Sequence, residues 1–339
     1  MFQPVTRNQV NGYPGPSGEI GVVIIGRNEG DRLKRCVASV KNETGSIVYV
    51  DSGSTDGSAQ WASEQGVTVV NLDMTRPFTA ARARNEGFSR LQQLTVGLKY
   101  VQFVDGDCEV VDGWLVLATT FLDSNPHVAA VCGRRREVSP KNSIYNRLCD
   151  MEWDTPVGKT RSCGGDVMMR ADALNTVGGY RENMIAGEEP ELCVRLRKAG
   201  WLIWRLPAEM TTHDAAIRRF GQWWKRTTRS GHAFAEGAFL HGTKPEQHGV
   251  RETIRAMVWG LMLPCATLVL ALIHPAWLLM LLAYPLQVMR LSLRGKFSDR
   301  RQRDRALFLV LARFPEAQGC LQFWFNRFRR KPTSLIEYK

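Results

Sequence analysis

Three clusters of polar residues in the sequence could hold a metal ion and a phosphorylated ligand. Asp105 and Asp107 follow the apolar run YVQFV, Asp51 to Asp56 lie in the stretch DSGSTDG, and Asn28-Glu29 come shortly after IGVVIIG. Neighbouring carboxylates are hard oxygen ligands that suit Mg²⁺ or Mn²⁺, and these ions keep coordination positions open for phosphate oxygens. The Asp105-Gly-Asp107 motif therefore predicts a divalent cation that bridges a diphosphate.

Alternating strands and helices are expected around these clusters. Short β-branched runs predict strands at 20–26, 47–50, 67–70 and 100–104, and apolar spacing predicts helices over Asp31–Val40, 58–65 and 79–94. This order indicates a mostly parallel α/β sheet with helices on both faces. Ligands bind such sheets at the carboxyl ends of the strands, so the three clusters should meet at one rim.

A further acidic pair, Glu188 and Glu189, could supply a general base. Pro190 suits the first turn of a helix, and Gly200 ends the helix after Lys198. The helix dipole favours ionised carboxylates at this end, and an ionised carboxylate can accept a proton. The alternative is that both acids simply occupy a first turn.

Other nucleotide sites and metal frameworks are not indicated by the motifs. The first strand is not followed by G-x-G-x-x-G, and the sequence has no G-x-x-x-x-G-K-[ST] loop. The eight cysteines form no C-x-x-C pair, which argues against a zinc knuckle or a disulfide framework and favours a reducing cytosol. The polar amino terminus does not have the apolar segment of a cleaved secretory signal.

Six motifs in order resemble those of family 2 glycosyltransferases with the GT-A fold. They are Asn28-Glu29, Asp51 to Gly57 (D-x-G-S-T-D-G), Ala83 to Gly87 (A-R-N-x-G), Asp105-Gly-Asp107, Gly178 to Tyr180 and Gly187 to Leu192. The resemblance covers residues 20–240 and implies a Rossmann-like GT-A sheet. It also implies an enzyme that transfers a sugar from a nucleotide-diphosphate sugar.

The resemblance assigns a role to each matching residue. It implies nucleotide-sugar binding by Asn28, Glu29, Asp51, Asp56, Arg84 and Asp105, metal binding by Asp107, Asp105 and His213, and base catalysis by Glu189, with Glu188 as a second candidate. Asp51 would read the nucleobase. Glu189 stands where the family has an Asp.

Acceptor binding is predicted from aromatic residues and a glycine-bearing segment. Candidates are Trp153, Gly165, Asp166 and Trp223, although large rings can equally pack in a core. Residues 222–226, QWWKR, are similar to the Q-x-x-R-W motif of processive polysaccharide synthases, but Lys225-Arg226 replace Arg-Trp. Transfer of single sugars to a lipid-linked or polysaccharide acceptor is therefore preferred. A processive synthase, a nucleotidyltransferase and a non-catalytic sugar-binding membrane protein are the alternatives.

The run between Arg255 and Arg290 contains no Lys, Arg, Asp or Glu and predicts a membrane segment. It is long for one crossing, and His274-Pro275 divides it, so we expect a re-entrant hairpin or two short crossings. A buried helical pair of a soluble core is the alternative. The positive-inside rule places both basic flanks, and the catalytic domain, on the cytoplasmic side of the inner membrane.

The carboxy-terminal tail is strongly basic. Residues 290–331 carry twelve Lys and Arg against three acids, within a chain of net charge +12. Segments 306–314 and 320–331 mix aromatic residues with arginine, which is typical of helices in the headgroup layer. We expect binding to a membrane, through 256–289 and this tail, and not to nucleic acid. The predicted divisions are a flexible segment at 1–18, a nucleotide-sugar-binding half at 19–120, an acceptor-binding half at 121–250, a hairpin at 251–290 and a basic tail at 291–339.

Overall fold

The computed structural model describes residues 18–294 and 299–329. They form two compact units. The sheet unit comprises the described residues up to 140 together with 149–184 and 188–216, and the helical unit comprises 141–148, 185–187 and the described residues from 217 onward. The predicted flexible segment lies, apart from Gly18, outside the described residues, as do Lys296 and the end of the basic tail from residue 330.

The sheet unit is built on one mixed sheet of nine strands, in the order β3-β2-β1-β4-β8-β6-β9-β5, with β7 paired to β9. Strands β1 to β4 pair in parallel and confirm the four predicted strands, whereas β8 is antiparallel to its neighbours β4 and β6. The strands are β1 (Ile20–Gly26), β2 (Ser46–Asp51), β3 (Thr68–Asn71), β4 (Tyr100–Asp105), β5 (Cys108–Val110), β6 (Val128–Glu137), β7 (Gly158–Thr160), β8 (Val167–Arg170) and β9 (Leu202–His213).

Helices cover both faces of this sheet, as predicted. They are α1 (Asp31–Val40), α2 (Ser58–Glu64), α3 (Ala80–Leu94), α4 (Trp114–Ser124), α6 (Ala171–Thr176) and α7 (Glu188–Lys198). Helix α5 (Ile144–Glu152) contributes residues to both units. Alternate residues of β1 enter opposite cores: Ile24 packs with Leu33 of α1 and Trp114 of α4, and Val23 packs in the cluster that contains Leu91 of α3. A strand buried on both faces explains the unbroken apolar run of β1.

The helical unit begins with α8 (Phe220–His241) and continues with α9 (Val250–Met257), a π-helical turn (Val258–Met262), α10 (Leu263–Ala271), a 3₁₀ segment (Pro275–Leu282), α11 (Ala283–Leu293), α12 (Arg300–Leu311) and α13 (Arg313–Phe328). The stretches Val250–Ala271 and Pro275–Leu293 are long and apolar enough to cross a membrane, by length and composition. His274 separates them and accepts a hydrogen bond from the Ala276 amide at its Nδ1, which confirms the predicted break. Only 11% and 6% of their most apolar windows are buried, so the alternative of a buried soluble-core pair is wrong.

Helix α13 packs on α8, and both helices belong to the helical unit. Within the described part of segment 320–331, Cys320 and Phe323 are buried in a cluster with Ala235 of α8 and Ala256 of α9, so one face of this helix packs against its neighbours. The opposite face keeps a set of exposed apolar residues, Leu321, Trp324, Phe325 and Phe328.

Glycine makes the close crossing of α8 and α13 possible. A Cβ on Gly319 would overlap the Thr228 carbonyl oxygen, and a Cβ on Gly231 would overlap that of Glu316. We expect Gly319→Ala to lower the free energy of unfolding of the helical unit by about 3 kcal/mol, since backbone atoms cannot rotate away from an inserted methyl group. Thermal unfolding of the detergent-solubilised protein measures the change.

Gly221→Ala is the matched control, because Gly221 also lies in α8 and a Cβ there would have nothing within 4 Å. This variant should be neutral or more stable by up to about 1 kcal/mol. Equal thermal midpoints for the two variants would contradict the close crossing.

Candidate active site

The carboxyl ends of three strands bring the predicted clusters to one rim of the sheet. Asp51 pairs with Gly26 and Asp105 with Ile25 in the register of β1 with its two neighbours. Both aspartates therefore flank the end of β1, and Asn28 and Glu29 follow from that end. We call this edge the rim.

Asp51 and Asn28 hold the polar loops of the rim together. Asp51 is 4% exposed, and its carboxylate accepts hydrogen bonds from the Tyr49 hydroxyl (2.9 Å) and from the amides of Gly53 (3.0 Å) and Ser54 (2.8 Å). Asn28, at a φ of 56°, accepts from the Thr55 amide at 2.8 Å. Hydrogen bonds within the protein thus hold the loop after β2 against the loop after β1 without a ligand.

Glu29 and Asp56 lie on the same loops. Glu29 forms an ion pair with Arg32 of α1 at 2.8 Å. Asp56 accepts a hydrogen bond from the Ser58 amide at 3.0 Å, at the start of α2. These contacts connect the two loops to the first turns of α1 and α2 beside the rim.

Arg84 connects the rim to the start of α7. It is 2% exposed and forms ion pairs with Asp105 (Nη2 to Oδ1, 2.8 Å) and Glu188 (Nη1 to Oε1, 2.7 Å). Burial by itself would lower the pKa of Arg84, but the two carboxylates raise it above its ordinary value. Gly165 permits this approach, because a Cβ there would lie 2.8 Å from Arg84 Nη2.

Asp166 positions Asp105 by a hydrogen bond from its main-chain amide. It is fully buried, accepts hydrogen bonds from the Asp105 amide (3.0 Å) and the Thr211 hydroxyl (2.8 Å), and pairs with Arg135 at 2.7 Å. Asp166 was predicted to contact the acceptor, and its burial corrects this interpretation: its visible role is to position the rim. Burial would raise the pKa of Asp105, but Arg84 and Arg135 outweigh it and hold that pKa below its ordinary value.

A candidate metal centre lies beside Asp105. Asp107 Oδ2 is 3.4 Å from His213 Nε2, and each of Asp107, Cys108 and His213 offers a ligand atom within 4.8 Å of the others. Strand β5 brings them together because Cys108 pairs with His213 of β9. Burial raises the pKa of the Cys108 thiol well above its ordinary value, and hard cations such as Mg²⁺ and Mn²⁺ prefer oxygen to sulfur ligands. The rings of Trp153 and His213 lie nearly perpendicular to each other, with centroids 4.9 Å apart.

Glu188 and Glu189 begin α7, as predicted, but lie in different environments. Glu188 holds Arg84. Glu189 is 2% exposed, and its Oε1 accepts hydrogen bonds from the Cys163 amide (2.7 Å) and the Cys193 thiol (2.9 Å). Burial raises the pKa of Glu189, although the Cys193 thiol and the amides of Cys163 and Gly164 offset part of the effect.

Trp223 is not one of the rim residues. It belongs to the helical unit, is 5% exposed, and packs among Tyr145, Phe220 and Phe308. The prediction that it stacks on an acceptor sugar is therefore wrong, and the alternative of core packing is correct.

Arg135 and Cys193 contact the predicted site residues and were not found from the sequence. Arg135 is the middle residue of the run Arg134-Arg135-Arg136 in β6, and strand alternation shows only that it faces away from its two neighbours. Cys193 lies one helical turn after Glu189, which is a spacing that could have identified it.

Arg135 neutralises a fully buried carboxylate, which gives a stability prediction. Arg135→Met should lower the free energy of unfolding by about 3–5 kcal/mol, because it leaves Asp166 without its cation. Arg136→Met is the control: Arg136 pairs with Glu209 where both side chains are about half exposed (52% and 44%), and such pairs contribute about 0–1 kcal/mol. Chemical denaturation compares them, and equal losses would contradict the role of Arg135.

A mixed sheet with acids at its strand ends and helices on both faces agrees with the GT-A architecture that the sequence motifs predict. A solved mannosyltransferase from Pyrobaculum calidifontis, PcManGT in complex with GDP-Man and Mn²⁺, superposes with a TM-score of 0.63 over 94% of this chain and 93% of that chain, at 17% identity. Residues 21–173 match the family model described as glycosyl transferase family 2. This match covers slightly under half of the chain, and over those residues it confirms the resemblance to family 2 glycosyltransferases.

Curated relatives are distant. A pre-mycofactocin glycosyltransferase of Mycobacterium tuberculosis is 26% identical over 68% of this chain and 50% of its own length. The O-antigen chain rhamnosyltransferase RfbN of Salmonella typhimurium is 21% identical over 55% of this chain and 63% of its own. The succinoglycan biosynthesis protein ExoA of Rhizobium meliloti is 26% identical over 47% and 50%. The chain thus spans about half the length of the first of these relatives.

Proposed function

We propose that the protein is an inverting, metal-dependent glycosyltransferase that moves a sugar from a nucleotide-diphosphate sugar to a hydroxyl of a lipid-linked or polysaccharide acceptor. The charge balance of the rim carries this proposal. Four carboxylates, those of Asp105, Asp107, Asp166 and Glu188, meet two guanidiniums, those of Arg84 and Arg135. Carboxylates thus outnumber guanidiniums in this cluster, which favours the binding of a divalent cation beside them.

Asp107 and His213 would hold that cation, with Asp105 beside them. A carboxylate and an imidazole together suit Mn²⁺ better than Mg²⁺, which prefers oxygen ligands alone. When bound, such an ion neutralises charge on the departing diphosphate. The mannosyltransferase of similar fold is in complex with both GDP-Man and Mn²⁺, which supports the same pairing of nucleotide sugar and metal here.

Glu189 is the proposed general base. Its Oε2 is buried and has no hydrogen-bond partner of good geometry among the described residues, so this oxygen can accept a proton. A raised pKa also makes its carboxylate a better proton acceptor at neutral pH. Glu188 suits the role less well, because proton transfer to it would break its ion pair with Arg84.

In the proposed reaction the acceptor oxygen attacks the anomeric carbon opposite the diphosphate. Its proton passes to Glu189, the bond to the phosphate oxygen breaks, and the diphosphate leaves with the electron pair. A single displacement inverts the anomeric configuration. Arg84 holds Asp105 and Glu188 in place throughout.

Membrane association through Val250–Ala271 and Pro275–Leu293 is part of the proposal. Both stretches are apolar and little buried, and basic residues lie at the outer ends of the pair, with Arg251 and Arg255 at one end and Arg290 and Arg294 at the other. We infer that they enter the inner membrane from its cytoplasmic side. A processive synthase is not favoured, since Gln222, the first residue of QWWKR, accepts hydrogen bonds from the amides of Arg218 and Arg219 and so caps α8.

Transfer can be tested with the purified full-length protein and a panel of UDP-, GDP- and dTDP-sugars, with Mn²⁺ or with EDTA. We expect one donor to raise the thermal midpoint in Mn²⁺ only and to glycosylate a membrane lipid extract with an inverted anomer, read by NMR. In a parallel reaction with a nucleoside triphosphate and a sugar 1-phosphate, release of pyrophosphate and formation of a nucleotide sugar would refute the proposal in favour of nucleotidyltransfer. Binding without turnover would favour a sugar-binding module.

A further inference from the structure

The helical unit contains an apolar groove of about 510 Å³. It lies between α11 and α12, and its lining includes Tyr284, Val288, Met289, Leu307, Val310 and Phe314. The polar atoms of α11 that border it are engaged elsewhere: the Tyr284 hydroxyl donates to the Trp259 carbonyl (2.6 Å), and the Ser292 hydroxyl donates to the Val288 carbonyl (2.9 Å). The groove, as we call this cavity, therefore presents mainly carbon atoms.

The two ends of the groove differ in chemistry. Helix α12 follows α11 after a short connection and packs against it, so the two helices run in opposite directions. Ser292 and Arg303 consequently line one end and Tyr284 and Phe314 the other, where their rings lie 5.5 Å apart. One end is therefore polar, and the other is lined by aromatic rings.

Positive charge is concentrated at the polar end. The helix ends there carry Arg290, Arg294, Arg300, Arg301, Arg303 and Arg305. The two acids of the same region are engaged, since Asp304 pairs with Arg147 at 2.7 Å and Asp299 accepts a hydrogen bond from the Arg301 amide at 2.8 Å. This end therefore attracts anions.

We propose that the groove binds one acyl chain of an anionic phospholipid, with the lipid phosphate at the Arg303 end. Helix α11 belongs to the apolar stretch Pro275–Leu293, so a groove along it opens beside the hydrocarbon layer once that stretch is inserted. Arginine at the mouth complements the phosphate. The inference rests on the membrane association proposed above and is independent of glycosyl transfer.

Native mass spectrometry of the full-length protein in detergent tests this site, with phosphatidylglycerol or phosphatidylcholine added as the probe. We expect retention of phosphatidylglycerol over phosphatidylcholine. Leu307→Trp should abolish retention of either lipid by filling the groove. Leu309→Trp should not, because Leu309 is exposed on the same helix (39%) outside the lining.

The headgroup contact has its own pair of variants. Arg303→Gln should reduce the preference for phosphatidylglycerol about fivefold, the effect of about 1 kcal/mol for one basic residue near a lipid phosphate. Arg301 lies outside the lining of the groove, so Arg301→Gln should reduce the preference for phosphatidylglycerol less. Equal effects of the two variants would overturn the placement of the phosphate.

Folding of the variants is checked by thermal midpoint, and Val288→Phe on the facing helix replaces Leu307→Trp if the latter does not fold. Unchanged lipid retention in either folded variant overturns the proposal. Retention of a polyprenyl phosphate in place of phosphatidylglycerol would overturn it as well. Because lipid mass is read without a nucleotide sugar, failure here and failure of glycosyl transfer are distinguishable.

Discussion

Asp107→Asn is expected to reduce sugar transfer about 10²–10³-fold. The amide keeps the shape of the side chain but removes the charge that would hold a cation beside His213, and cation stabilisation of a leaving phosphate is worth several kcal/mol. Initial rates in saturating Mn²⁺ measure the loss. Mn²⁺ with nucleotide should also raise the thermal midpoint of the wild type and not that of the variant.

Asp112→Asn is the control for this experiment. Asp112 follows β5 closely and lies outside the acidic cluster of the rim. Its rate should match the wild type within about twofold, since isolated surface charges contribute little. An Asp107 variant as active as the Asp112 variant would remove Asp107 from the proposed metal centre.

Glu189→Gln is expected to reduce the rate of transfer about 10²–10⁴-fold, because the amide cannot accept the acceptor proton. Nucleotide-sugar affinity should change little, since the Arg84 ion pairs do not involve Glu189. Glu188→Gln should instead weaken binding of the nucleotide sugar, because Arg84 loses an ion-pair partner and is displaced, and it should change the rate of transfer less. Steady-state kinetics with donor and acceptor varied separately resolve the two patterns, and interchanged patterns would assign the base to Glu188.

Stability provides a second signature of Glu189. Burial raises its pKa in the folded protein, so the folded state favours the protonated form, and the stability associated with that proton is lost as pH rises through the raised pKa. At pH 7 Glu189→Gln should therefore be at least as stable as the wild type, and any advantage should disappear below about pH 4.5, the ordinary pKa of the group. As pH is lowered, the rate of transfer should begin to fall at a pH above that value, because Glu189 becomes protonated there. A destabilised glutamine variant at pH 7 would contradict a desolvated carboxylate.

The parallel half of the sheet was predictable because its signals are local. Each of β1, β2 and β4 is a β-branched or aromatic run that stops at a polar cluster, and the rule for parallel strands brings Asp51 and Asp105 to one edge. The start of α7 was equally readable from Pro190. The identity of the rim therefore followed from short stretches of sequence.

The support beneath the rim was not predictable, because it depends on long-range pairing. Strand β8 has only four residues, and nothing local shows that it enters antiparallel between β4 and β6. That insertion brings Asp166 to the main-chain amide of Asp105 and to the Arg135 guanidinium. A residue that the sequence suggests to be in a loop is therefore buried and positions Asp105. Trp223 was ambiguous for a different reason: an indole ring suits a sugar face and an aromatic core equally well.

The glycine crossings of the helical unit restrict how its sequence can evolve. At Gly231 and Gly319, as at Gly260 against the Arg313 carbonyl, the atoms that an added methyl group would meet are main-chain oxygens. A clash with a side chain can be relieved by shortening that side chain, whereas a carbonyl oxygen is the same in every residue. Second-site suppressors of mutations at these three positions should accordingly be rare, and mutational libraries for this unit will tolerate variation mainly on its outward faces.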